Sequence, residues 1–183
     1  MLDTSFETPV WFGDAAFDNL QRLIDESKPS RIFFLVDENT HEKCLPLLLQ
    51  SLGELPANEV LEVAAGEDSK SPEVLVQLWY ALSELQADRQ CLLINLGGGV
   101  VTDLGGFLAG TFLRGVSFVN IPTSLLAMVD ASVGGKTGIN LGHEKNRVGI
   151  FLEPEAVCVV PGFLETLPAR ERRSGFAEML KHG

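Results

Sequence analysis

Short, nearly continuous apolar runs alternate along this chain with stretches whose apolar residues recur at helical spacing. The runs Arg31 to Val36, Val60 to Ala64, Cys91 to Leu96 and Ser117 to Ile121 read as strands buried on both faces. Between them, Ala15 to Glu26 places Phe17, Leu20 and Ile24 on one helical face, with Asp14 as its N-cap and Lys28-Pro29-Ser30 as its stop. Thr40 to Leu52 reads as helical, with Pro46 as a kink or a break. Ser71-Pro72 has the N-cap and first-turn chemistry of a helix running to about Gln86, whose stripe of Leu75, Leu78, Trp79, Leu82 and Leu85 is core. A further helix runs from about Val100 through Leu113, and Pro122-Thr123-Ser124 opens another, where capping is the safer role for the hydroxyls. Alternation of this kind predicts an α/β domain with a largely parallel sheet and flanking helices.

At 183 residues the chain can bury a full core, and its 45% hydrophobic and 21% charged content is ordinary for a globular protein. No apolar run approaches the roughly 20 residues that span a bilayer, and the first residues lack the basic and apolar regions of a signal peptide. The three cysteines, Cys44, Cys91 and Cys158, are far apart in apolar contexts, which predicts buried free thiols and a reducing cytoplasm. The net charge of −11 lies entirely in residues 1–95, with 17 acids against 6 bases, while residues 96–183 carry 8 of each. Overall acidity argues against nucleic acid as a partner. Arg114, Lys136, Lys145 and Lys181 lie inside or beside glycine-rich motifs, a placement that suggests a local anion site.

The candidate chemistry gathers where strands end. Asp37 closes the first apolar run, where it could hold a ribose hydroxyl or cap the next turn; its position favours neither. Gly97-Gly98-Gly99 follows a strand and opens a helix, so unpaired N–H groups and a partial positive charge invite a phosphate. Neither standard nucleotide motif is present: Thr102 occupies the third glycine position of a dinucleotide fingerprint, and Asp130 the first of a P-loop. Asp103, one turn into the helix, would repel that phosphate and should meet an amide or hydroxyl donor, or else stabilise the helix dipole. Gly105-Gly106 costs about 1 kcal/mol per glycine in helix propensity, which predicts close packing of another backbone against it. Asp130 to Gly138 reads as a flexible loop, with Lys145 and Asn146 following on the same loop. This collection suits a small molecule that is polyhydroxylated, phosphorylated or carboxylated.

Six motifs in order give the chain a family resemblance. They are Gly66-Glu67-x-x-Lys70; Gly-Gly-Gly-Val-Val-Thr-Asp from Gly97; Pro122-Thr-Ser through Gly-Gly-Lys136-Thr-Gly-Ile-Asn140; Lys145-Asn-Arg-Val-Gly149; Phe163-Leu-Glu-Thr-Leu-Pro168; and Gly175-Phe-Ala-Glu-Met-Leu-Lys-His-Gly183. They resemble 3-dehydroquinate synthase from about Asp37 to the last residue. The resemblance implies a Rossmann-like NAD-binding domain over residues 1–167 and the start of a helical metal and substrate domain over 168–183. It implies NAD and a divalent metal, zinc or cobalt, as cofactors, a phosphorylated seven-carbon keto sugar acid as substrate, and a homodimer. By motif match, Asp37, Glu67 and Lys70 would hold the adenosine end of NAD. Gly98, Gly99, Val100, Val101, Thr102 and Asp103 would meet its pyrophosphate and nicotinamide. Thr123, Ser124 and the segment Phe163, Leu164, Glu165, Thr166 would complete the cleft, with Lys136 and Lys145 also reaching the cofactor. Arg114, Asp130, Lys136, Lys145, Asn146 and Lys181 match the substrate side, with service to a dimer partner's site as the alternative role for Arg114. Glu178 matches the metal-ligand glutamate, but His41, His143 and His182 do not fit the family's two histidine ligands. The 183 residues alone are therefore expected to bind NAD weakly and not to turn over.

Overall fold

The computed structural model describes residues 8–132, 134–168, 171, 175 and 176. Its strands are β1 (Val10–Phe12), β2 (Ile32–Asp37), β3 (Asn58–Val63), β4 (Leu92–Gly97), β5 (Ser117–Pro122), β6 (Lys136–Leu141), β7 (Glu144–Phe151) and β8 (Ala156–Val159). Its helices are α1 (Ala15–Ser27), α2 (Glu38–Lys43), α3 (Leu45–Ser51), α4 (Pro72–Glu84) and α5 (Gly99–Thr111). Six strands form one sheet in the order β1-β8-β5-β4-β2-β3, every pair parallel.

The sheet is parallel because its central strands are apolar on both faces. Ile32, Phe34 and Val36 of β2 pack into a core shared with α1 and α3, while Phe33 and Leu35 pack into a second core shared with α4 and α5. From β2 the chain runs outward to edge strand β3, then returns to β4 on the other side of β2. That reversal leaves a crevice at the carboxyl ends of β2 and β4, the place where open α/β sheets bind ligands.

Local chemistry sets the helix boundaries. Ser71 caps α4 by accepting from Val74 N at 3.4 Å, and Pro72 sits in the first turn. Its buried Leu75, Leu78 and Leu82 contribute about 1.5–3 kcal/mol each by leaving water. Asp14 does not make the predicted cap: its backbone is already helical (φ −65°, ψ −31°), which carries the carboxylate past the first N–H groups. The region from Thr40 is broken, not kinked. Cys44 separates α2 from α3, and Pro46 lies in the first turn of α3, where a missing N–H costs nothing.

Two further features depart from the sequence expectation. The short strands β1 and β8 were not foreseen, and the loop expected over Asp130 to Asn146 contains a β-hairpin. Its strands β6 and β7 are antiparallel and joined by Gly142-His143, with Gly142 at φ +59°, the position where a tight two-residue hairpin turn takes glycine. The hairpin lies on α5 and explains that helix's glycines. A side chain at Gly106 would overlap Thr137 Cγ2, and one at Gly110 would overlap Ile150 Cδ1. At Gly105 the neighbour is the Asn95 side-chain oxygen. Side chains, not a second backbone, occupy the notches.

Gly105→Ala is therefore expected to destabilise the chain by about 1–3 kcal/mol through overpacking, despite the better helix propensity of alanine. Urea unfolding measures this; a neutral or stabilising result would contradict the packing described.

Candidate functional site

A cavity of about 920 Å³ opens at the carboxyl ends of β2 and β4, bounded by the α5 N-terminus on one side and the hairpin on the other. Asp37, Glu67, Lys70, Gly98, Gly99, Val100, Asp103, Ser124, Asp130, Lys136, Lys145 and Asn146, all singled out from sequence, line it together.

The α5 N-terminus is open to a ligand. Gly98 is the N-cap and brings no side-chain cap, so the first-turn N–H groups keep their bonding capacity. A side chain at Gly98 would approach Ser124 Oγ to 3.3 Å, so glycine keeps the approach clear. Ser124 Oγ accepts from Ala127 N at 3.3 Å, the capping role predicted for that position. Helical periodicity turns the next residues away. Val101 and Thr102 are buried, and Thr102 Oγ1 donates to Gly98 O and Gly99 O at 3.3 Å. Neither side chain lines the cavity.

Asp37 fills the capping role, one of the two that its position left open. Its Oδ1 accepts from Thr40 N at 2.9 Å while Thr40 Oγ1 accepts from Asp37 N at 2.9 Å, a reciprocal capping box. It also forms part of the cavity wall.

Lys70 is not a free cation at the rim. It is 4% exposed, and its Nζ donates to Asp103 Oδ2 and Asn146 Oδ1. Asn146 reaches inward because its backbone is left-handed (φ +53°), where the hairpin register slips between Ile139 and Leu141. Such irregularities re-aim side chains beside functional sites. Asn140, which sequence reasoning passed over, locks this arrangement. Its N–H donates to Lys70 O at 2.9 Å, its Nδ2 donates to Glu67 Oε1 at 2.8 Å, and its Oδ1 accepts from Asn146 N at 2.8 Å. Lys145 adds a looser ion pair to Glu67 at 3.8 Å. Burial pushes the Asp103 carboxyl above its ordinary value; the hydrogen bond and charge of Lys70 pull it partly back, and Glu67 and Asp130 push it further up.

Beyond α5, a π-turn at Ala127–Ala131 presents Asp130 to the cavity. Ser132 closes that turn, its N–H and Oγ both donating to Ala127 O at 3.1 and 2.7 Å. Beneath it lies a buried polar pair absent from the sequence reading. Asn95 Nδ2 donates to Asn120 Oδ1 at 2.9 Å, Asn120 Nδ2 reaches Ser132 O at 3.5 Å, and Asn95 Oδ1 has no partner among the described residues. An orphaned buried acceptor of that kind costs about 1–3 kcal/mol.

Several expected residues lie elsewhere. Arg114 is exposed at the far end of α5, about 20 Å from the glycine turn for a helix of 13 residues, and does not line the cavity. Thr123 is buried, its N–H donating to Gly97 O at 2.9 Å. Phe163 belongs to the core, edge-on to Phe17 at 6.3 Å, and Thr166 Oγ1 donates back to Phe163 O at 2.8 Å. Leu164 packs against the same core, and neither it nor Glu165 lines the cavity. Glu178 and Lys181 lie outside the described residues. Among the described residues no group of three or more His, Cys, Asp or Glu side chains could hold a metal ion, and no helix is long and apolar enough to cross a membrane. All three cysteines are buried and free, and burial raises their thiols, Cys91 to about 11 and Cys158 to about 12.

A parallel α/β sheet with an open helix N-terminus at its switch point defines a Rossmann-like domain, and known proteins narrow the class. Residues 60–174 match the family described as 3-dehydroquinate synthase N-terminal. The 3-dehydroquinate synthase of Parabacteroides distasonis is 47% identical over 90% of this chain and 46% of its own length. That of Alkaliphilus oremlandii is 41% identical over 96% of this chain and 48% of its own. The chain belongs to the 3-dehydroquinate synthase family, and it spans about half the length of the curated relatives it matches. Among solved structures, the 2-epi-5-epi-valiolone synthase of Streptomyces hygroscopicus, with NAD+ and Zn2+ bound, superimposes with a TM-score of 0.85 at 30% identity, covering 99% of this chain and 50% of that one. A 2-deoxy-scyllo-inosose synthase has the same fold, with a TM-score of 0.86 at 24% identity over 94% of this chain and 47% of its own.

The buried Lys70 node sets a pH dependence. A raised Asp103 carboxyl means that the folded chain holds this proton more tightly than the unfolded chain. From the ordinary value of 3.8 up to the raised one, its contribution to stability therefore falls as pH rises. Lys70→Met is expected to cost about 2–4 kcal/mol at neutral pH by stranding the carboxylate. The loss should shrink as pH falls, because burial without a counter-charge drives the carboxyl to its neutral form. Urea unfolding of both proteins from neutral pH downward checks this; a pH-independent loss would contradict it.

Proposed function

We propose that this chain forms the NAD-binding part of a 3-dehydroquinate synthase, which converts a phosphorylated seven-carbon keto sugar acid into 3-dehydroquinate and phosphate. The observation that carries this reading is the shared cavity: an uncapped helix N-terminus at Gly98 faces Lys136 and Lys145 across one crevice. The first feature suits a dinucleotide pyrophosphate, the second a phosphorylated acid. Identity to dehydroquinate synthases of 41–50%, against 30% and 24% for the two related cyclases, favours this substrate over theirs.

The residues present fit NAD. N–H groups at the start of α5 would receive the pyrophosphate. Asp37, whose Oδ1 is held by Thr40, would keep Oδ2 for a ribose hydroxyl. Asp103 would accept from the carboxamide, its position fixed by Lys70. NAD, when bound, supplies a reversible hydride acceptor for a substrate alcohol. On the substrate side, Lys136 and Lys145 would offset phosphate and carboxylate charge, and Asp130 and Asn146 would orient hydroxyls. A homodimer would bring the partner's copy of Arg114 to the cavity that its own chain's Arg114 does not reach. The metal role proposed for Glu178, and the substrate role proposed for Lys181, fall outside the described residues. A cytoplasmic location accords with the three free thiols.

Calorimetry tests the reading directly. The chain should bind NAD, and Gly98→Val should weaken that binding at least about tenfold, or about 1.4 kcal/mol, with unfolding unchanged. Lys136→Ala should weaken a phosphonate analogue of the substrate more than it weakens NAD. Equal NAD affinity for Gly98→Val and the parent chain would overturn the placement.

A further inference from the structure

We propose that Asn95 and Asn120 are positioning residues that hold the loop bearing Asp130 and leading to Lys136. Both amides are buried at 0% and 4% exposure, and among the described residues no other buried side chain of the six-stranded sheet is polar. Their orientation follows from one group whose polarity cannot be reversed, the backbone carbonyl of Ser132. Because that oxygen only accepts, Asn120 must turn Nδ2 toward it, which sets Asn120 Oδ1 toward Asn95. Asn95 must then donate from Nδ2, and its own Oδ1 is left against Gly105 with no partner among the described residues. The chain of dipoles starts at an orphaned atom in β4, crosses to β5 and ends on the residue that closes the π-turn.

A sheet needing only stability would fill these two positions with apolar residues, removing the orphan and the requirement for glycine at 105. What the pair supplies is direction. Asp130 is exposed and lies two residues before the anchored carbonyl; Lys136 is exposed four residues after it, beyond two glycines with left-handed backbone, Gly134 at φ +88° and Gly135 at φ +65°. Anchoring at Ser132 gives a glycine-rich segment a fixed origin on the rigid sheet, and Leu152 N donating to Gly135 O at 2.8 Å fixes its other end. The consequence for substrate binding rests on the proposed function; the consequence for loop order does not.

The decisive variant is Asn95→Ala combined with Gly105→Ala, which replaces the orphaned amide and its notch by two methyl groups. Amide hydrogen exchange over residues 127–136 should accelerate at least about tenfold, while the unfolding midpoint changes little, because one orphaned acceptor, Asn95 Oδ1, is exchanged for another, Asn120 Oδ1. Affinity for the phosphonate analogue should fall about tenfold, with NAD affinity changed less than about twofold. Asn120→Val, which removes the donor to Ser132 directly, should loosen the same segment. Unchanged exchange over 127–136 in both variants would overturn the proposal, as would a loosened loop with undiminished phosphonate affinity. If the parent chain binds neither NAD nor the phosphonate, the proposed function fails, and the exchange measurement alone decides the positioning role.

Discussion

A lysine ammonium with 4% exposure must find partners or give up its charge, and Lys70 has two, Asp103 and Asn146. Much of the cavity depends on that requirement. The turn before α4, the N-terminal half of α5 and strand β7 all meet at the buried ammonium. The glycines of α5 complete the arrangement. Without notches at Gly106 and Gly110, Thr137 and Ile150 could not seat the hairpin closely enough for Asn146 to reach Lys70.

The same network explains how an acidic chain can attract an anionic ligand. Three cavity acids have already committed an oxygen: Asp37 to Thr40 N, Glu67 to Asn140 Nδ2, Asp103 to Lys70 Nζ. Lys136 makes no ion pair among the described residues. The net charge of −11 is therefore a poor guide to the local field. What a ligand phosphate would meet is the α5 N-terminus and a lysine whose charge is not internally compensated.

How much of this could be read from sequence depended on whether the cause was local. The apolar runs of β2, β4 and β5 were legible because burial on both faces leaves few polar positions in them. The cap at Ser71 and the turn at Gly97 to Gly99 were legible because helix ends have their own chemistry. The hairpin was not: Gly134, Gly135, Gly138, Gly142 and Gly149 read as flexibility, whereas the Gly138–Gly149 pair lets the two strands approach and Gly142 makes their turn. Strands β1 and β8 have 3 and 4 residues, too few to show a period. Val101 and Thr102 belong to a motif matched as a block, but the helix turns them inward. Lys70 looked like a ligand cation because its partners lie 33 and 76 residues away. Arg114 is close to the glycine turn in sequence, but a helix of 13 residues separates them in space. The Asn95–Asn120 pair gave no local sign, since each residue sits singly in an apolar strand.

The central claim is that the open N-terminus of α5, braced by the Lys70 node, receives the phosphates of a dinucleotide. Backbone amide shifts followed by NMR while NAD is titrated into this chain test it most directly. The account predicts the largest changes at Gly98, Gly99 and Val100, with secondary changes at Lys70, Asp103 and Asn146. Saturable NAD binding that leaves the α5 N-terminus unperturbed would contradict it.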